Sequence, residues 1–229
     1  MASQTGTGES VAAALRQRLN GAMKRVAFFV VPSVAAFLAL GDSIVALLYQ
    51  TGKFTRGDVE YVWIVLAGST VGLLASTLGR LYTSAFWALR DTRTPLRFAT
   101  LRVLLTGGLG WLLAFPAPKW LGIPGRFGLV GLTVSAGMAA WIEFSLLRAA
   151  MNRKIGKTGL HYTDMVKLWG IAIAAAAIAI PLKMWVSGMH PLISGGVVLS
   201  LYGVAYLGFA AALRIPEASQ LLQTIKKRL

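Results

Sequence analysis

An all-α membrane protein with six transmembrane helices is the fold class this sequence predicts, and three observations carry the prediction. Of 229 residues, 56% are hydrophobic and only 14% charged, roughly half the charged share of a soluble domain. Six apolar runs approach the twenty or so residues that cross about 30 Å of hydrocarbon: residues 26–50, 61–89, 103–118, 127–147, 168–189 and 191–213. Lys and Arg gather in alternate connections between those runs, 17 on one side against 5 on the other, with Arg80 alone inside a run. By the positive-inside rule the richer side is cytoplasmic, which places both termini there. The net charge of +15 is therefore topological, attracted to anionic headgroups, and does not imply nucleic acid.

Taken in order, residues 1–20 are polar and carry no apolar stretch of signal-peptide type. Residues 15–28 read as a basic amphipathic helix running into the first span. Pro32 falls inside that span and is expected to kink it; Gly41-Asp42 is expected to break it with Asp42 as the cap, the other reading of Asp42 being a functional carboxylate within the membrane. The outer turn "YQTGKFTRGD" has Gly52 and Gly57 for tight geometry and Asp58 as the expected N-cap of the second span. That span, 29 residues long, places Arg80 about 28 Å from its outer end. Two readings of Arg80 stand: snorkelling to the cytoplasmic headgroups, or facing a polar cavity and holding an anionic group.

The inner turn follows, with Arg90, Arg93 and Arg97 around Asp91, Thr92, Thr94 and Pro95. Asp91 and Thr92 suit a helix exit or cap, and Pro95 suits the first turn of the next helix, where its missing N–H leaves nothing unpaired. The third span extends back to Phe98 with Arg102 near its inner end. "TGGLGW" in the third span and "GLVGLTVSAGMAAW" in the fourth let helix backbones approach closely in lipid. Glu143 sits about a turn from the basic end of the fourth span and requires a partner or a hydrated cavity; Arg102 is one such partner. The fifth and sixth spans, joined by a short turn at His190-Pro191, form an antiparallel pair, and "EASQLLQTIKKRL" reads as an amphipathic surface tail. Trp87, Trp120, Trp169 and Trp185 fall near span ends, as an aromatic belt does.

Catalytic patterns are missing. There are no cysteines and only two histidines, so no cofactor or metal site is expected. Ser135, in "TVSAG", lacks the leading glycine of a nucleophile motif. No HExxH pair or phosphate-binding loop occurs. The expectation is a transporter or a structural membrane subunit, not an enzyme.

Together, "LLYQTGKFTRGD", "GRLYTSAFWALRDTRTP" and "GLVGLTVSAGMAAWIEFSLL" resemble the MurJ (MviN) family of lipid II flippases. The resemblance rests on Gly52-Lys53-Phe54, Asp58, Phe86-Trp87-Ala88 and Asp91-Thr92-Arg93-Thr94-Pro95, and covers residues 15–213. It implies a MATE-like (MOP superfamily) two-lobe fold of fourteen helices, of which this chain matches the ninth to fourteenth. Residues 1–25 would then be a cytoplasmic lead-in and 26–152 four helices of the C-terminal lobe. Residues 153–167 would be a cytoplasmic loop, 168–213 the terminal helix pair and 214–229 a basic tail. The implied activity is flipping of lipid II, a peptidoglycan precursor for the cell wall, across the bacterial inner membrane by alternating access. Arg80, Arg102 and Glu143 become substrate-binding candidates, while the family's main cationic site belongs to helices outside this chain. A separately encoded N-terminal part is an implied partner. Export of another polyprenyl-pyrophosphate glycan, a structural subunit and a truncated remnant are the other readings.

Overall fold

The computed structural model describes residues 2–50, 53–122, 124–186 and 188–219, with side chains from residue 9 onward. Its elements are α1 (Ala2–Tyr49), α2 (Arg56–Thr70), α3 (Leu73–Ala88), α4 (Arg93–Ala114), α5 (Pro116–Trp120), α6 (Gly128–Ile155), α7 (Tyr162–Trp185) and α8 (Pro191–Ala212), with a 3-10 turn at Gly125–Phe127. Six stretches are long and apolar enough to span a membrane: Glu9–Tyr49, Arg56–Ala88, Arg93–Trp120, Gly125–Ile155, Tyr162–Trp185 and Pro191–Ala212. The predicted six-span, all-helical architecture is the one found. The helices group into two compact units, Met1–Ala27 with Gly68–His161, and Phe28–Ala67 with Tyr162–Leu229.

In the first unit α6 is the hub, packed by α3 and α4. Its small residues carry the contacts. A Cβ on Gly137 or Gly72 would press on the other residue's backbone, the Gly72 position meeting the Gly137 Cα at 2.5 Å, while Gly128 and Gly131 lie against the carbonyls of Ala114 and Leu113. Lipid supplies no hydrophobic drive between spans, so backbone-to-backbone approach of this kind is what holds them. The Ser135 hydroxyl is fully buried and donates to Leu132 O at 2.7 Å.

In the second unit α7 packs on α8, with Ala172, Ala175, Ala176 and Ala179 buried along one side of α7. The outer half of α1 packs there too. The Tyr202 hydroxyl donates to Pro32 O at 2.8 Å and the Tyr206 hydroxyl to Phe28 O at 2.7 Å. The second bond has a simple cause. Pro32 has no N–H, so the carbonyl four residues earlier, Phe28, loses its helical partner, and Tyr206 supplies the replacement.

Three local expectations are corrected. First, α1 runs unbroken through Gly41-Asp42. Gly41 makes room for the Trp63 indole, which a Cβ there would overlap and whose Nε1 donates to Phe37 O at 3.0 Å. Asp42 caps nothing; it pairs with Lys183 Nζ, at 2.6 Å through Oδ2. Second, the N-cap of α2 is Thr55, not Asp58. Asp58 is the third helical residue and completes a reciprocal capping box: Thr55 N donates to its Oδ2 at 2.8 Å, and Asp58 N donates to Thr55 Oγ1 at 3.3 Å. Third, the second span is not one helix. It breaks at Val71-Gly72, where Gly72 N reaches only to Ser69 O and the Val71 carbonyl accepts Trp141 Nε1 at 2.8 Å. The amphipathic tail expected after residue 216 lies, beyond residue 219, outside the described residues.

Candidate functional site

α3 has two unlike faces. Leu74, Ala75, Leu78, Gly79, Tyr82, Ala85 and Phe86 are buried; Arg80, Ser84 and Trp87 are exposed, with Thr77 and Thr83 half-exposed beside them. Arg80 makes no hydrogen bond or ion pair among the described residues. It lies eight residues before the end of α3, about 12 Å along the axis. Thr77, Thr83 and Ser84 turn their hydroxyls back onto Leu73 O, Gly79 O and Leu81 O, leaving the guanidinium as the open cationic donor of this stripe.

Below Arg80 the inner turn is built residue by residue. α3 closes with Arg90 in the left-handed region, φ 57°. Arg90 N donates to Trp87 O at 2.9 Å and Asp91 N to Phe86 O at 3.0 Å, the paired bonds of a Schellman motif. Asp91 then turns to the next helix, accepting Thr94 N at 3.0 Å through Oδ1 and the Thr94 hydroxyl at 2.8 Å through Oδ2. Thr92 occupies the N-cap position of α4 without a side-chain bond, and Pro95 is buried in the first turn. From the end of α6, Lys154 Nζ reaches Asp91 Oδ2 at 2.7 Å and sits 5.7 Å over the Phe86 ring. The Lys154 ammonium first, then the Thr94 N–H and hydroxyl, hold the Asp91 carboxyl well below the ordinary carboxylate range.

Arg102 and Glu143, the partnership raised from the sequence, meet at 2.9 Å between Arg102 NH1 and Glu143 Oε2. Glu143 is the more enclosed of the two, and the other guanidinium N–H groups remain for a further acceptor. Of the outer-turn motif, Gly52 lies outside the described residues, Lys53 is exposed, and Phe54 packs on Tyr49 with ring centroids 6.2 Å apart. These motif residues build the outer turn. No three His, Cys, Asp or Glu side chains gather as metal ligands do among the described residues.

A polar knot in the same unit escaped the sequence reading. Thr158 is 4% exposed. Its N–H and hydroxyl meet Asn152 Oδ1 at 2.8 and 2.6 Å, its Oγ1 lies 3.1 Å from the Tyr82 hydroxyl, and its carbonyl accepts Arg148 Nε at 3.1 Å. Next to it Gly159 N donates to Asn20 Oδ1 at 3.0 Å. The inner loop is thus tied to α1, α3 and α6, with Tyr82 two residues from Arg80. Asn152 near a helix end, followed by Gly156 and Gly159 at φ 85° and 132°, was the signal available.

The family profile described as lipid II flippase MurJ matches residues 3–203. The chain belongs to the MurJ family. Among curated proteins named "Probable lipid II flippase MurJ", the one from Vibrio cholerae is 25% identical over 203 residues, 86% of this chain and 36% of its own length. That from Rhizobium meliloti is 28% identical over 193 residues, 84% and 34%. The Thermotoga maritima protein is 25% identical over 209 residues, 90% and 40%. A solved structure titled "Lipid II flippase MurJ, inward closed conformation" superposes with a TM-score of 0.71 at 18% identity, covering 91% of this chain and 42% of that one. The chain therefore has the MurJ helical fold and spans somewhat over a third of the length of these relatives. It is a multi-pass membrane protein of a transporter family.

Proposed function

We propose that this chain is the C-terminal six-span part of a transporter that flips lipid II across the inner membrane by alternating access. One observation carries the reading: in a MurJ-family chain, α3 presents an unpaired arginine on an exposed, hydroxyl-bearing face within a membrane span. A cation there is costly against lipid, and such residues face cavities or partners. Arg80 contacts the anionic pyrophosphate part of the substrate, and the paired Arg102 and Glu143 lie on the same unit as a secondary polar group. The remaining cationic helices come from the rest of the transporter, whether on the same polypeptide or a separately encoded one. Charge asymmetry orients the spans with both termini cytoplasmic, so the Asp91 turn and the Thr158 loop face the cytoplasm.

The test replaces Arg80 in the intact protein. Arg80→Ala is expected to lower lipid II flipping at normal protein abundance, with Arg80→Lys partly restoring it. Undiminished flipping in Arg80→Ala would leave Arg80 a snorkelling residue and remove the reading's main support.

A further inference from the structure

The second unit contains a polar cavity that the transport reading does not use. It has a volume of about 570 Å³, and its lining includes Asp42 and Ser43 from α1, Arg56 and Glu60 from α2, Lys183 from α7 and Ser194 from α8. Asp42 and Lys183 neutralise each other, the ammonium touching both carboxylate oxygens at 2.6 and 2.7 Å. Arg56 and Glu60 are different. Both are exposed, and neither makes a hydrogen bond or ion pair among the described residues. They stand one helical turn apart, about 6 Å. What the cavity offers a ligand is therefore one free cation beside one free anion.

Its depth is marked by neighbours. Tyr49, adjacent to the lining residue Gln50, is 56% exposed, and Trp185, two residues after Lys183, is 81% exposed. Exposed Tyr and Trp at span ends mark the headgroup layer. A ligand at that depth carrying an anion and a cation a short linker apart is a zwitterionic phospholipid headgroup.

We infer that this cavity binds phosphatidylethanolamine, its phosphate on Arg56 and its primary ammonium on Glu60. An anionic headgroup without an amine leaves Glu60 facing like charge. A quaternary choline cannot donate hydrogen bonds to the carboxylate. The cavity therefore selects the primary amine over both.

The test is native mass spectrometry of the intact protein that contains this chain, released from nanodiscs holding equal amounts of phosphatidylethanolamine, phosphatidylcholine and phosphatidylglycerol. The expected result is a retained phosphatidylethanolamine adduct, favoured about tenfold over the other two, that is lost in the Arg56→Ala/Glu60→Ala double variant. The exchanged pair, Arg56→Glu with Glu60→Arg, keeps both charges and should retain the adduct, which separates lost binding from lost folding. Equal retention of all three lipids, or an adduct that survives the double alanine variant, overturns the proposal. Displacement of the lipid by millimolar soluble phosphoethanolamine would show that the headgroup alone is recognised and would overturn the lipid as the bound species.

Discussion

α1 contains a proline in mid-span and continues; the Arg56–Ala88 span contains none and breaks. The contrast shows that neighbours, more than local sequence, decide where a membrane helix is interrupted. Pro32 removes one hydrogen bond, but the second unit supplies Tyr206 to the stranded Phe28 carbonyl, and the helix runs on. At Val71-Gly72 nothing is missing from the backbone. There α6 comes so close that Gly137 lies against Gly72, and Trp141 takes the Val71 carbonyl. In both places an aromatic donor from another helix meets the freed carbonyl, as an interior without water demands. The proline is repaired, and the break is imposed.

The strongest way to disturb this contrast is Gly72→Leu. The side chain would have to displace α6 backbone, and overpacking that cannot be relieved by a flexible neighbour is expected to cost about 3 kcal/mol or more. Loss of membrane-level protein or a large fall in thermal midpoint is the measurement; a normal midpoint would mean that the crossing has slack. Next comes Tyr206→Phe, expected to cost about 1–2 kcal/mol by stranding the Phe28 carbonyl. Adding Pro32→Ala restores an N–H to that carbonyl, so the double variant should be more stable than Tyr206→Phe alone, a non-additivity read from the double-mutant cycle. Strict additivity would separate the tyrosine from the proline. Trp141→Phe removes the matching donor at the break, and because that indole is partly exposed the expected loss is smaller, about 1 kcal/mol or less. The smallest effect belongs to the next interruption, between α3 and α4. The Asp91 carboxyl is depressed in the folded protein, so its contribution is present above its ordinary value of 3.8 and fades as pH falls below it. Asp91→Asn should flatten the stability profile between neutral pH and pH 3, and an unchanged profile would remove Asp91 from the turn's energetics.

These cases also mark what the sequence discloses. The six spans were legible because length and apolarity are properties of a segment by itself. The Asp91-Thr94-Pro95 turn was legible because its hydrogen bonds close within four residues. Arg102 was only one partner open to Glu143, suggested by its place near the same inner end of the spans; the contact itself came from the structure. Asp42 and Lys183 were not found, being 141 residues apart with nothing in the spacing to join them. Gly41 beside Asp42 looked like a helix stop because its true cause, the Trp63 ring, belongs to another helix. Gly68 and Gly72 stood in plain view in "GSTVG". Only the position of α6 turns that small-residue pair into a break. Arg80 stood out in the sequence as a charge alone within a span, yet its exposure and its lack of a partner among the described residues required the packed structure.

The Gly72–Gly137 contact has a mechanical consequence. Backbone presses on backbone, so no rotamer change can loosen it, and α3 and α6 behave at that point as a lever on a fixed pivot. Arg80 lies eight residues from the pivot, so a tilt of about 10° would swing its Cα by about 2 Å. A small rocking of α3 against α6 would thus move a positive charge by most of a hydrogen-bond length, with no helix having to unwind.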